Sequence, residues 1–550
     1  GKYVHTWSRG LLSVFCMSPR VSEELCCRRL VFLHYGVCEF NAKVFCNRLV
    51  CASSLLSDRK PHSGLMNCAV HRPPNGVNVN DPHLAAASPA LDDQIPKPCN
   101  DDQIPKHDRV SLLNLIKSCQ KEKSLWKLSS IHAHLLNENL VAKDTFITTA
   151  LITTYADCGA LEKACDVLRQ TPAPNVVFWN ALISGYVRNG FCKEALECFQ
   201  HMREDGICPN AITYISVLKA CGITGSLDLG QALAAEVNKQ GLLHKNIALG
   251  TAMVDMYFRC FAVEKAREVF EHLPMQNVFS WTALISGYVQ HGLGAEALKC
   301  FRQMREAGIH PNAITFISVL KACGIVRCLE IGEEVNAEVR RQGLLRNNSV
   351  VLGNALVSMY AKCGVIHKAA GVFEKLPIRN VASWNALIVG YAQNGLNKEA
   401  LKSFRQMKDA GIRPNVITYL CILKVCGSVR SLEIGSDIDV KIRKEGLLKE
   451  DLLLGNALVD MYSKCGALPK AKEVFELLQV KNIASWNALI TGYAQNGCGD
   501  LVLKSFRHMQ DAGVSPDAVT YTCILKACGI VKSLGIGEDI HAEIRKQGLL

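Results

Sequence analysis

The chain has 550 residues, 49% hydrophobic and 20% charged, which excludes a disordered chain as the main reading. Its net charge is +12, about +10 of it after residue 108, a mild excess that suits a polyanionic partner but is far from a histone-like tail. No apolar run approaches the ~18 residues that a membrane span needs, so no membrane association is expected.

Residues 1–70 carry nine Lys or Arg against four acidic residues. A basic, acid-poor leader is what an organelle-targeting segment looks like, with a disordered extension as the alternative. Residues 71–108 are rich in Pro, Asn and Asp and hold the tandem "DDQIPKPCN", "DDQIPKHD", which reads as a linker.

From residue 109 the chain repeats itself. "NVVFWNALISGY" at 175–186 returns as "NVFSWTALISGY" from Asn277, "NVASWNALIVGY" from Asn380 and "NIASWNALITGY" from Asn482. Trp179, Trp281, Trp384 and Trp486 are therefore 102, 103 and 102 residues apart. The period is compound: a long unit of 36 or 37 residues, a short one of 31 and one of 35 follow in turn. The long units are 109–144, 211–246, 313–349, 416–451 and an incomplete 518–550. The short units are 145–175, 247–277, 350–380 and 452–482. The 35-residue units are 176–210, 278–312, 381–415 and 483–517, so that thirteen units tile 109–550 without a gap.

Each unit reads as two helices. In 176–210, Trp179, Leu182, Ile183 and Tyr186 fall at i, i+3, i+4 and i+7, which is one helix face. Asn189-Gly190 supplies a turn, and a second helix carries Ala195, Leu196, Phe199 and Met202 before Gly206 and Pro209 end it. One such hairpin cannot bury both its faces, so neighbours must stack into an all-α solenoid, whose hand the pattern leaves open. The Trp and Tyr stripe is then core rather than a cofactor site.

Of the 26 cysteines, nine recur at fixed points of the pattern: Cys119, Cys221, Cys323, Cys426 and Cys528 in the long units, and Cys158, Cys260, Cys363 and Cys465 in the short ones. Most precede a Gly that is expected to end the helix ("KACG", "AKCG"), and no CxxC pair exists, so they read as buried packing rather than a metal or redox site. No metal and no cofactor is expected, and a reducing compartment is.

The motifs "WNALISGYVRNGFCKEALECFQHMREDGICPN", "ITYISVLKACG" and "LGNALVSMYAKCGVIHKAAGVFEKLPIRN", with the alternation of lengths, resemble the P, L and S repeats of the plant-type pentatricopeptide repeat family. The resemblance covers 109–550, about four fifths of the chain. It implies a right-handed superhelical solenoid of about thirteen antiparallel helix-turn-helix repeats that binds single-stranded RNA, one base per repeat. In that family the fifth and last residues of a repeat select the base, and the second, usually apolar, wedges between bases.

Carried over residue by residue, Thr149 with Asn175, Thr251 with Asn277, and Thr282 with Asn312 resemble the adenine pair. Asn180 with Asn210, Asn354 with Asn380, Asn385 with Asn415, and Asn456 with Asn482 resemble the pyrimidine pair, and Asn487 with Asp517 the uracil pair. The wedges are Phe146, Val177, Ala248, Phe279, Val351, Ala382, Leu453 and Ala484, the three alanines being smaller than the family norm. The implied target is 5′-nAYnAAnYYnYUn-3′, where Y is a pyrimidine and n faces a long repeat. Asn and Thr can donate and accept on a base edge, whereas the fifth residue of the long repeats is Leu113, Ile215, Ile317, Leu420 or Thr522. The alternative for a polar residue near a helix start is a cap.

The resemblance implies an organellar factor that recognises sites of C-to-U RNA editing, in the mitochondrion or the chloroplast, the former slightly favoured. Alternatives are a factor that stabilises, processes or splices RNA, and a tetratricopeptide-like scaffold for proteins. No enzyme is expected in this chain, and no small-molecule substrate. His541-Ala542-Glu543 matches the H-x-E of a zinc deaminase, but other long repeats have His132-Ala133-His134, Ala234-Ala235-Glu236 and Asn336-Ala337-Glu338 there. The absence of an initiator Met and the broken last repeat suggest a piece of a longer chain. Partners are then RNA, editing cofactor proteins, or a deaminase lost from the C-terminus or acting in trans.

Overall fold

Asn, Asp or Thr just before an apolar run starts a helix by accepting hydrogen bonds from its first free N–H groups. The computed structural model describes residues 109–546 and 548, except 245 and 346–349, and shows such starts repeatedly. The leader and linker expected over 1–70 and 71–108 lie outside the described residues.

Among the described residues there are 28 α-helices, one 3₁₀ turn and no strand. Two helices are single turns, Leu140–Lys143 and Leu447–Glu450, and the other 26 form thirteen pairs, one per expected repeat. First helices run thirteen residues in the short and 35-residue repeats, as in Thr145–Asp157 and Val176–Arg188, and fourteen in the long ones, as in Ala313–Val326. Second helices run thirteen residues, as in Cys192–Glu204 and Leu329–Arg341, except in the short repeats. There Leu161–Arg169, Val263–Glu271 and Ile366–Glu374 have nine and Leu468–Leu477 has ten, which accounts for the 31-residue length.

The chain divides into two compact units between Ser216 and Val217. In the first, helices Thr145–Asp157 and Val176–Arg188 pack together around buried Leu151, Ile152, Leu182 and Ile183. In the second, each Trp stands edge-on to a Phe of the preceding short repeat: Phe270 with Trp281 at 4.6 Å, and Phe373 with Trp384 and Phe475 with Trp486 at 4.7 Å. Such pairs add about 0.5–1.5 kcal/mol each beyond area burial. The Trp stripe is core, as expected.

The Gly after the recurring Cys of the short repeats ends its helix as expected, with Gly364 of "AKCG" at φ +79° and Gly466 of "SKCG" at φ +76°. In the second short repeat the residue there is Phe261, at φ +61°. The Gly of "KACG" does not end its helix, contrary to expectation. Gly324 lies within Ala313–Val326, where an added Cβ would stand 2.9 Å from Cδ of Lys362 on the next repeat. Close approach, not a turn, explains that glycine, and Arg327 at φ +57° closes the helix instead.

Candidate nucleic-acid interface

Counting from the first helical residue, positions two, five and nine fall on one stripe of the first helix. All eight expected wedges are exposed at position two, among them Phe146 at 64% and Phe279 at 65%. The long repeats present apolar residues there too, Val110, Ile212, Ile314 and Val519, all exposed. These four were not expected. The recurrence of a bulky aliphatic second residue in every long repeat was the available signal. At the first short repeat the Arg109 guanidinium stands 4.2 Å from the Phe146 ring while pairing with Asp144 at 2.9 Å.

The expected selectors fall into two groups. At the end of the 35-residue repeats they are joined. Asn180 Nδ2 donates to Asn210 Oδ1 at 3.0 Å and Asn385 Nδ2 to Asn415 Oδ1 at 2.9 Å. Asn487 Nδ2 donates to both carboxylate oxygens of Asp517 at 3.0 Å. Thr282 reaches Asn312 indirectly: its hydroxyl is 2.6 Å from Thr315 Oγ1, which donates to Asn312 Oδ1 at 3.0 Å.

A third residue completes each set. Thr213, Thr418 and Thr520, third in the following long repeat, donate to Asn180, Asn385 and Asn487 Oδ1 at 2.6, 2.7 and 2.6 Å. Thr213, Thr315, Thr418 and Thr520 are fully buried, so these hydroxyls lock the selector rotamers from beneath. Sequence reasoning missed them, although "IT" or "VT" opens four of the five long repeats.

At the end of the short repeats the pairs are not brought together. Thr149 Oγ1 donates back to Thr145 O at 2.6 Å and Thr251 Oγ1 to Ile247 O at 3.2 Å. Asn354 and Asn456 each keep a buried Oδ1 with no partner among the described residues. Asn175, Asn277, Asn380 and Asn482 instead cap the next helix, Asn277 through Phe279 N and Ser280 N at 3.0 Å.

Capping thus belongs to the last residue of a repeat, not to the fifth. A cap of this kind contributes about 1 kcal/mol. It uses Oδ1 and leaves Nδ2 of Asn210, Asn312 and Asn415 without a hydrogen bond among the described residues, a donor available to a base edge. Asp517 offers only acceptors, which suits a partner with an N–H, such as uracil N3.

Burial pushes the thiols of Cys221, Cys323 and Cys426 up to about 12. No cluster of His, Cys, Asp or Glu suited to a metal occurs among the described residues. His541 lies exposed on helix Leu534–Lys546, at the repeat position of His132, Asn336 and Asp439. Those three face a tyrosine of the next repeat, as Asn336 Nδ2 to Tyr360 Oη at 2.8 Å shows.

Stacked helical hairpins with a repeated apolar and amide stripe define a helical-repeat protein. Models of the PPR repeat family match residues 174–222, 276–324, 379–428 and 481–529, and a PPR repeat model matches 354–381 and 456–483. The chain is 33% identical over 442 residues to the Arabidopsis thaliana pentatricopeptide repeat-containing protein At2g03380, mitochondrial, covering 80% of this chain and 63% of that protein. It is 34% identical to At1g11290, chloroplastic, and 33% identical to At4g18520, chloroplastic, from the same plant. These matches cover 75% and 77% of this chain, and 51% and 67% of those proteins. The chain belongs to the pentatricopeptide repeat family, and it spans between about half and two thirds of the length of these relatives. The crystal structure of the pentatricopeptide repeat protein PPR10 in complex with an 18-nt psaJ RNA element shares its helical solenoid fold, with TM-score 0.60 and 18% identity over 80% of this chain and 68% of that one.

Proposed function

We propose that this chain binds single-stranded RNA base by base and acts in an organelle as a site-recognition factor for C-to-U editing. The observation that carries the reading is the polar set at the end of each 35-residue repeat, held by a buried Thr below an exposed apolar second residue: Asn with Asn in two repeats, Asn487 with Asp517 in the last, and Thr282 reaching Asn312 through Thr315. Rigid, half-used hydrogen-bonding groups beside an apolar wedge suit the edge and face of one unstacked base. A protein-binding scaffold gives no reason for polar and apolar fifth residues to follow repeat length.

The fold shared with an RNA-bound protein and the mitochondrial and chloroplastic relatives support RNA and an organelle. The order of repeat lengths, read as P, L and S, favours editing over stabilisation, processing or splicing. The chain acts as a binder, with any deaminase on another polypeptide or a further part of its own. Editing cofactor proteins are candidate partners.

The test is selection of random RNA by the purified 550-residue chain, with sequencing of the bound pool. The expected product is A and pyrimidine in the order 5′-nAYnAAnYYnYUn-3′. A pool without a motif, binding that vanishes at moderate salt, would overturn base reading.

A further inference from the structure

Position nine of the long repeats is Lys in all five: Lys117, Lys219, Lys321, Lys424 and Lys526. All five are exposed, and none of their ammonium groups makes a hydrogen bond or ion pair among the described residues. The other repeats never place a base there: the 35-residue repeats have Ser184, Ser286, Val389 and Thr491, the short ones Thr153, Asp255, Ser358 and Asp460.

Seven residues at 100° each return to within about 20° of the start, so position nine stands above the position-two wedge, roughly 10 Å along the helix. In the unit after residue 217, Lys219 and Lys424 are followed by short repeats with Asp255 and Asp460 at position nine. Those carboxylates are held by Arg259 and Lys464 of their own helices at 2.7 Å. The lysines therefore keep an uncompensated charge on the wedge stripe, in the very repeats whose fifth residue is mostly apolar.

We infer that the long repeats grip the RNA by phosphate rather than by base, with the position-nine lysine as the contact. A long flexible ammonium suits a phosphate oxygen as a point charge and discriminates no base. The mild net charge is then placed, not diffuse: one anchor per three repeats holds the strand while the repeats between read it.

This inference rests on the RNA-binding reading, and one experiment separates the two. The probe is the synthetic 13-mer 5′-UACUAAUCCUCUU-3′, and the quantity is the slope of log affinity against log salt for the 550-residue chain. Each phosphate contact on a single strand contributes about −0.7, so K219Q/K321Q/K424Q/K526Q should lessen the slope by about 3. The lysine-to-arginine quadruple should restore it. Base preference at the A and Y positions should stay unchanged. Should the quadruple variant lose its helical circular dichroism, K424Q alone is expected to lessen the slope by about 0.7. Wild-type binding with an unchanged slope in K219Q/K321Q/K424Q/K526Q would overturn the phosphate contact and leave RNA binding standing. Altered preference at the n positions would overturn it too, making these lysines base readers. Failure of the wild-type chain to bind the 13-mer or the random pool would sink the RNA reading itself.

Discussion

Asn180 donates its side-chain amide to Asn210, thirty residues further along, at 3.0 Å, and Asn210 at the same time caps the helix of the following repeat. The amide proposed to meet a base is thus fixed by a residue that also starts the next repeat. Thr213 closes the triangle from below.

Thr282→Asn tests the register at one such contact. Asn312 and Thr315 already stand where Asn210 and Thr213 stand, so the new amide is expected to bond directly to Asn312. Preference at that nucleotide should move from A to pyrimidine, with the other positions unchanged, as read from the selected pool. A pool still rich in A at that place would refute the assignment.

Phe261→Gly should stabilise the protein. Phe261 sits at φ +61°, where the other short repeats have glycine, and a side chain in that region costs about 1–2 kcal/mol. The edge contact of its ring with His291 at 5.2 Å returns about 0.5–1 kcal/mol. A net gain of roughly 0.5–1 kcal/mol is expected in thermal or denaturant unfolding. A loss would show that the ring contact outweighs the backbone strain.

His132 makes the first repeats acid-sensitive. Its Nδ1 is 3.2 Å from Tyr155 Oη and its Nε2 is buried without a partner, and burial, aided by Lys163, holds its pKa below the usual value against a smaller opposing effect of Asp166. The unfolded chain therefore takes up the proton first as pH falls. The stability is full above the ordinary His pKa of about 6.5 and is lost below it. Hydrogen exchange in Leu125–Asn137, corrected for intrinsic rate, should speed up between about pH 7 and about pH 5.5. His132→Asn keeps a donor to the tyrosine, as Asn336 does for Tyr360, and should abolish that dependence. Persistence of the dependence in the variant would place its origin elsewhere.

Much of this was legible in one sequence because the repeats compare themselves. The alternation of lengths gave all thirteen helix pairs, and the apolar stripe at i, i+3, i+4 and i+7 gave the buried face that holds Trp179, Leu182 and Ile183. Two features escaped. A Gly in "KACG" looks like any helix-ending Gly until the neighbouring Lys362 stem is seen lying over it. The buried Thr315 looks like an ordinary cap partner until its hydroxyl is seen to touch Thr282, 33 residues before it. Both depend on contacts between repeats, and a pattern read along one helix carries no information about them.

The bond from Asn180 to Asn210 and Thr213 also constrains how such a gene can grow. On the proposed reading, the set that meets a nucleotide crosses a boundary: Asn180 and Asn210 lie in one segment, and Thr213, which locks them, lies at the start of the next. Duplicating a whole 102-residue set copies every boundary intact and, on that reading, adds three nucleotides to the footprint. Duplicating one 35-residue segment would instead set Asn180 and Asn210 against a serine- or phenylalanine-bearing start such as that of Val278–Gln290 or Val176–Arg188, without the threonine that locks them. Lengthening in steps of three keeps the two added letters that face the shorter repeats readable on arrival, and the near-identical copies at Asn277, Asn380 and Asn482 have the form such steps leave behind.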